Sequence, residues 1–145
     1  MLVENLKVTG QVKVQLFDKD GKLKDTQDIK NLVVATGKTF IAGRMVGTPT
    51  AMSHMAVGAS STAAASGDTA LGSELGRVAL TSSTSASNVV TYVATFPAGT
   101  GTGAVVEAGI FNASSSGTLL CRTVFSVVNK GADDAMTITW QITVS

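Results

Sequence analysis

Cysteine, histidine, proline and aromatic residues are all scarce in this chain of 145 residues, and each scarcity closes a route. There is one cysteine, Cys121, so no internal disulfide forms and a disulfide-stapled secreted scaffold is excluded. It lies in the apolar run 118–128, which predicts a buried and inert thiol. There is one histidine, His54, read here as an ordinary strand residue. Metal centres and nucleophile–base pairs draw on histidine or clustered cysteine, so the usual catalytic and zinc constellations have no material. Aromatic residues make up 5%, too few for a sugar-stacking platform or for basic–aromatic interleaving along a nucleic acid. No run is long enough for a membrane-spanning helix, and the first residues hold no apolar stretch of leader length. The expectation is a chain made and used in a cytoplasm, without nucleic acid and without a membrane.

Charge is scarce as well. Charged residues are 14% of the chain, against roughly 25% in an ordinary soluble domain. Few groups are left to keep a lone monomer in solution, so the surface suits burial against neighbours. The net charge of +1 points to no polyanionic partner. Residues 1–44 carry eight of the eleven Lys and Arg, and beyond them the cations are Arg77, Arg122 and Lys130. The N-terminal segment therefore reads as solvated, with Lys13, Lys22 and Lys24 as candidates for a partner-facing surface.

What the chain does have is alternation. Val12, Val14 and Leu16 alternate with Lys13 and Gln15, and Asp18-Lys-Asp-Gly21 supplies a hairpin turn before a return strand over 23–29. Thr36 is placed to cap a helix near residues 36–46, with Phe40, Ile41 and Met45 on one face. Strands are predicted over 52–58, from Arg77, over 90–96, 104–111 and 118–127, and over 136–144. Asp68–Leu75 reads as an irregular helical turn, and 82–88 and 129–134 read as polar turns. In the last strand Met136, Ile138, Trp140, Ile142 and Val144 face the core, with Trp140 as its anchor, while Thr137, Thr139, Gln141 and Thr143 face outward. About eight short strands with turns every ten or so residues predict one mainly β domain over 1–145, an antiparallel β-sandwich or jelly-roll-like fold. It divides into a hairpin plus helix over about 10–46 and a body over about 52–145.

The search for chemistry returns nothing catalytic and no cofactor. Asp18 and Asp20 flank a turn and lack the later ligands of a calcium loop. Asp133-Asp134 is a turn pair that could at most hold a cation weakly. Gly99–Gly103 lacks the helix and lysine of a phosphate loop, and Thr36-Gly-Lys-Thr39 lacks the first glycine of a Walker loop. Glu107 interrupts an apolar strand. It is either the outward residue there or a buried acid paired with Arg77 or Arg122, because a buried carboxylate without such a partner is costly.

Three segments resemble small structural proteins of tailed bacteriophages. The first is the hairpin 10–34, ending Asn31-Leu-Val-Val34 and followed by Thr36-Gly-Lys38. The second is Gly67-Asp-Thr-Ala-Leu-Gly-Ser-Glu-Leu75 with Arg77. The third is Val106-Glu-Ala-Gly-Ile-Phe-Asn112, a glycine turn, Leu119-Leu-Cys-Arg-Thr-Val-Phe125 and the final alternating strand. Proteins of this kind are tail-fibre-like or capsid-associated. The resemblance implies a non-enzymatic virion protein without substrate or cofactor. Its first form is a capsid cement (decoration) protein, self-associated as a homotrimer and bound to the major capsid protein. A tail, collar or baseplate/fibre-associated part is the alternative, and a receptor- or carbohydrate-binding module stands behind both. No heptad or triple-helical repeat builds a fibre shaft.

Overall fold

In the computed structural model, which describes residues 5–145, the elements run β1 Val8–Phe17, β2 Leu23–Val33, α1 Ala35–Arg44, β3 His54–Gly58, β4 Glu74–Ala79, β5 Ser82–Ala86, β6 Val89–Phe96, β7 Gly103–Phe111, β8 Leu119–Lys130 and β9 Ala135–Val144. The strands form one antiparallel sheet in the order β4-β3-β7-β8-β2-β1-β9-β6-β5, curled into a sandwich-like fold. The curl happens at β2. Most of β2 pairs with β1, and only Leu32 and Val33 reach across to Arg122 and Cys121 of β8. The chain changes halves a second time between β4 and β5. There Leu80 N–H bonds Ser53 O at 2.9 Å, and Thr81 N–H bonds Val93 O at 2.7 Å.

One core fills the space between the halves. Val12, Val14, Phe96, Ile138 and Trp140 from one side meet Met55, Val57, Ile110, Cys121 and Phe125 from the other. The period-two alternation of β1 and β9 places these side chains, since residues two apart share a face. A smaller apolar cluster of Val34, Ala56, Leu71, Phe111 and Leu119 lies on the outer face of β3, β7 and β8. Ala56, Phe111 and Leu119 are strand residues that face away from the main core, joined by Val34 just after β2 and by Leu71 from the loop before β4.

Several expectations change. Asp68–Leu75 forms no helical turn; it is loop up to β4, and the Asp68 carboxylate is occupied by Ala65 N–H at 2.9 Å and by Arg122. The polar stretch 82–88 is β5 plus a tight turn rather than a turn alone, which makes nine strands among the described residues. Asn129 and Lys130 extend β8 instead of opening a turn. Thr36 lies inside α1, behind an N-cap at Val34, and its hydroxyl donates to Leu119 O at 2.8 Å. It ties the helix to β8 rather than capping it. Met45 lies past the helix end and is 87% exposed, so only Phe40 and Ile41 turn inward.

Gly37 explains how α1 seats. A Cβ there would run into the backbone carbonyl of Leu120, so the helix touches β8 where it has no side chain. Gly37→Ala should lift the helix and cost about 1–3 kcal/mol, as overpacking against backbone does. Urea unfolding checks this, and an unchanged midpoint would show that the helix sits further away.

Candidate functional site

Glu107, Arg122, Asp68, Arg77 and Glu74 of the body are spent on holding loops. Glu107 of β7 and Arg122 of β8 lie side by side on the outer face, both essentially buried. Arg122 donates to Glu107 Oε1 at 3.0 Å, to Asp68 Oδ2 at 3.1 Å and to Thr62 O at 2.9 Å. Glu107 also accepts the backbone N–H groups of Ser60, Gly72 and Ser73 at 2.8–2.9 Å. The open question about Glu107 is thus settled as a buried acid paired with Arg122. Gly58 makes room for it, because a Cβ there would meet Ser73 O and the Glu107 carboxylate. With every oxygen engaged, the pair staples the Ser/Ala/Thr-rich loop 59–73 onto β7 and β8. It leaves no lone pair aimed at a substrate.

Arg77 does a parallel task at the other end. It makes a two-pronged contact with Glu74 at 2.7 and 3.2 Å, donates to Ala113 O and Ser116 O, and lies 3.8 Å over the Phe111 ring. That holds the β7–β8 turn against β4. His54 and Cys121 do not meet. His54 pairs across to Phe111 on the outer face, while Cys121 pairs to Ile110 in the core, on the opposite side of the same strands. Burial pushes the Cys121 thiol well above its ordinary range, so it should resist alkylation until the domain opens. Among the described residues no three His, Cys, Asp or Glu side chains gather as a metal site.

The N-terminal lysines separate. Lys13 stands exposed in mid-β1, and Lys22 is exposed in the hairpin turn, where its N–H bonds Asp18 Oδ1. Lys24 pairs with Asp134 at 2.8 Å. The Lys24 hydrogen bond, joined by Gly131 N–H, lowers the Asp134 pKa below its ordinary 3.8. Asp134 is therefore held by protein groups, and its neighbour Asp133 is exposed, apart from that pairing. Close by, Lys130 is buried and donates to Pro97 O at 3.0 Å; burial lowers its pKa and the Asp134 charge opposes that.

The sign of the Asp134 shift gives a test. A lowered folded pKa means the carboxylate stabilises the fold above about pH 4, and the contribution is lost as pH falls through the lowered value. Lys24→Met should lower the urea midpoint near neutral pH. The difference from the parent should close once the solution is acid enough to protonate Asp134 in both. An equal loss at every pH would show that Lys24 acts by packing alone.

What remains is a face rather than a pocket. In β2, β1, β9, β6 and β5 the cross-strand partners form rows on the outer side. They are Thr26–Gln15–Thr137–Thr95, Asp28–Lys13–Thr139–Val93–Ser82 and Lys30–Gln11–Gln141–Thr91–Thr84. None of these side chains is buried. Charges in the rows are confined to Lys13, Asp28 and Lys30; the rest are mostly hydroxyls and amides. The other half of the sandwich has its outer face covered by loop 59–73, whereas no described residue covers this one. The outward Thr and Gln of β9 were legible in the sequence. The width of the face was not, because Ser82–Ala86 has no apolar alternation to mark it as a strand. Comparison with protein-family models, curated proteins and solved structures finds no match.

Proposed function

We propose that this chain is a non-enzymatic structural protein of a tailed-bacteriophage particle, a capsid cement (decoration) protein that docks on the head shell through the bare face of β2, β1, β9, β6 and β5. The observation that carries the reading is the asymmetry of the sandwich. One outer face is covered by the chain's own loop, fixed by Arg122 with Glu107 and Asp68, and the other is left uncovered by any described residue, its row charges confined to Lys13, Asp28 and Lys30. A surface of hydroxyls and amides can exchange water for hydrogen bonds with a neighbouring chain without desolvating many ions, which is where polar interfaces lose affinity. The resemblance of the three segments to phage structural proteins supplies the particle, the major capsid protein as partner and threefold self-association. Loops stapled by Glu107–Arg122 and Arg77–Glu74 suit a part that must keep its shape under load.

Lys13 rides on this face opposite Asp28. Lys13→Glu places two acids across from each other and should slow docking on the particle. Particle occupancy that stays unchanged at low salt would remove this face from the interface. Quantitative mass spectrometry of purified particles tests the location. Copies in the hundreds support the shell, a small multiple of three or six moves the chain to the tail, collar or baseplate, and absence from particles ends the reading.

A further inference from the structure

The strand order ends at β4 and β5, and the two ends differ. β4 carries the Glu74–Arg77 ion pair, the kind of charged guard that keeps an edge from pairing. β5 is Ser-Ser-Thr-Ser-Ala, exposed along its whole length, with no Lys, Pro or charge. Its backbone is set up for pairing. Val144 N–H bonds Asn88 O at 3.0 Å, so the even-numbered residues of β6 bond to β9 and the odd-numbered ones to β5. Their partners on β5 are Ala86, Thr84 and Ser82, which turns the N–H and C=O groups of Ser83 and Ser85 outward.

We infer that β5 is a self-pairing edge that takes β5 of a second copy, antiparallel about a twofold axis through Thr84. In the register about Thr84 every facing pair, Thr84–Thr84, Ser83–Ser85 and Ser82–Ala86, is small and uncharged, so the isologous contact meets no clash and no repulsion. Ser83 of one copy exchanges both backbone bonds with Ser85 of the other. Thr84 faces Thr84 of the second copy at the closer, non-hydrogen-bonded spacing, where paired threonines are favourable. Ser82 falls opposite Ala86, so no like charges meet. The seam joins the bare faces of both copies into one wider surface. A seam of this length is far smaller than the roughly 1,200–2,000 Å² of a standard interface, so it is weak in dilute solution and strong where copies are held side by side. It is a twofold contact, separate from any threefold one, and does not rest on the particle reading.

Cysteine trapping tests it on the isolated 145-residue chain. Opposed residues of an antiparallel pair have Cα atoms about 4.5–5.5 Å apart, within the disulfide range of about 4.4–6.8 Å. Two copies of Ser82 would be offset by roughly 13 Å. Thr84→Cys should therefore give about tenfold or more disulfide-linked dimer than Ser82→Cys under mild oxidation, and adding Ala86→Cys to Ser82→Cys should restore it. Cys121 is fully buried and does not compete. All positions are exposed, so folding is retained and is verified by matching thermal melts. Equal trapping of Thr84→Cys and Ser82→Cys would report chance collision, and no trapping of Thr84→Cys would report no seam. Either result overturns the inference.

Discussion

Arg122→Ala should destabilise the domain by about 3–5 kcal/mol, the usual loss when one member of a buried ion pair is removed. The mechanism is specific. Glu107 would stay buried with its charge uncompensated on that side, and Asp68 and Thr62 O would lose their donor. Glu107→Ala should cost a comparable amount, because it takes the buried partner from Arg122, leaving Asp68 and Thr62 O, and strands the N–H groups of Ser60, Gly72 and Ser73. The double replacement Arg122→Met with Glu107→Met should cost clearly less than the two single losses added together, since neither buried charge remains. Urea unfolding measures all three. Hydrogen exchange gives the local readout: in Arg122→Ala the amides of loop 59–73 should lose protection before the strands do. Additive losses, or a loop that stays protected, would mean the loop is held by Leu71 and its apolar neighbours instead.

Trp140→Ala should cost a similar amount, about 3–5 kcal/mol, for a different reason. Trp140 is fully buried in mid-β9, between Val12 of β1 and Tyr92 of β6, and alanine leaves a large hole in a core shared by both halves. Its Nε1 has no hydrogen-bond partner among the described residues. A buried donor without an acceptor costs about 1–3 kcal/mol, so Trp140→Phe removes that penalty while opening a smaller void. The phenylalanine variant should thus lie much nearer the parent than the alanine one. A phenylalanine variant as unstable as the alanine one would show that the indole nitrogen is satisfied in solution.

The same residues show what can be read from sequence. β1, β6 and β9 were plain because their apolar residues fall at every second position, and a half-buried strand imposes that period. The first hairpin was plain because Asp18 and Gly21 make a turn that few other residues can; Asp18 Oδ1 accepts the N–H groups of Asp20 and Lys22. β5 was hidden, since a strand of serines at an edge buries nothing and leaves no pattern. The helical reading of Asp68–Leu75 failed because Asp68 has the same preference for capping a helix as for folding a loop, and Arg122, 54 positions away, decides between them. Glu107 was recognisable as an anomaly in an apolar strand. Which arginine it met depended on register: Arg122 faces Gly109 on the adjoining strand, within reach of Glu107, whereas Arg77 lies beyond β3. The bare face was half legible, through Thr137, Thr139, Gln141 and Thr143, and its extent needed the pairing of five strands.

The central claim is that this bare face is where the chain meets the rest of a particle. A cryo-electron microscopy reconstruction of the phage particle at side-chain resolution tests it most directly. The account predicts density for this domain on the head shell, with Gln11, Lys13, Thr139 and Gln141 in contact with another chain. A domain bound through the opposite half, with the Thr and Gln rows open to solvent, would contradict it, as would a reconstruction in which the chain has no place.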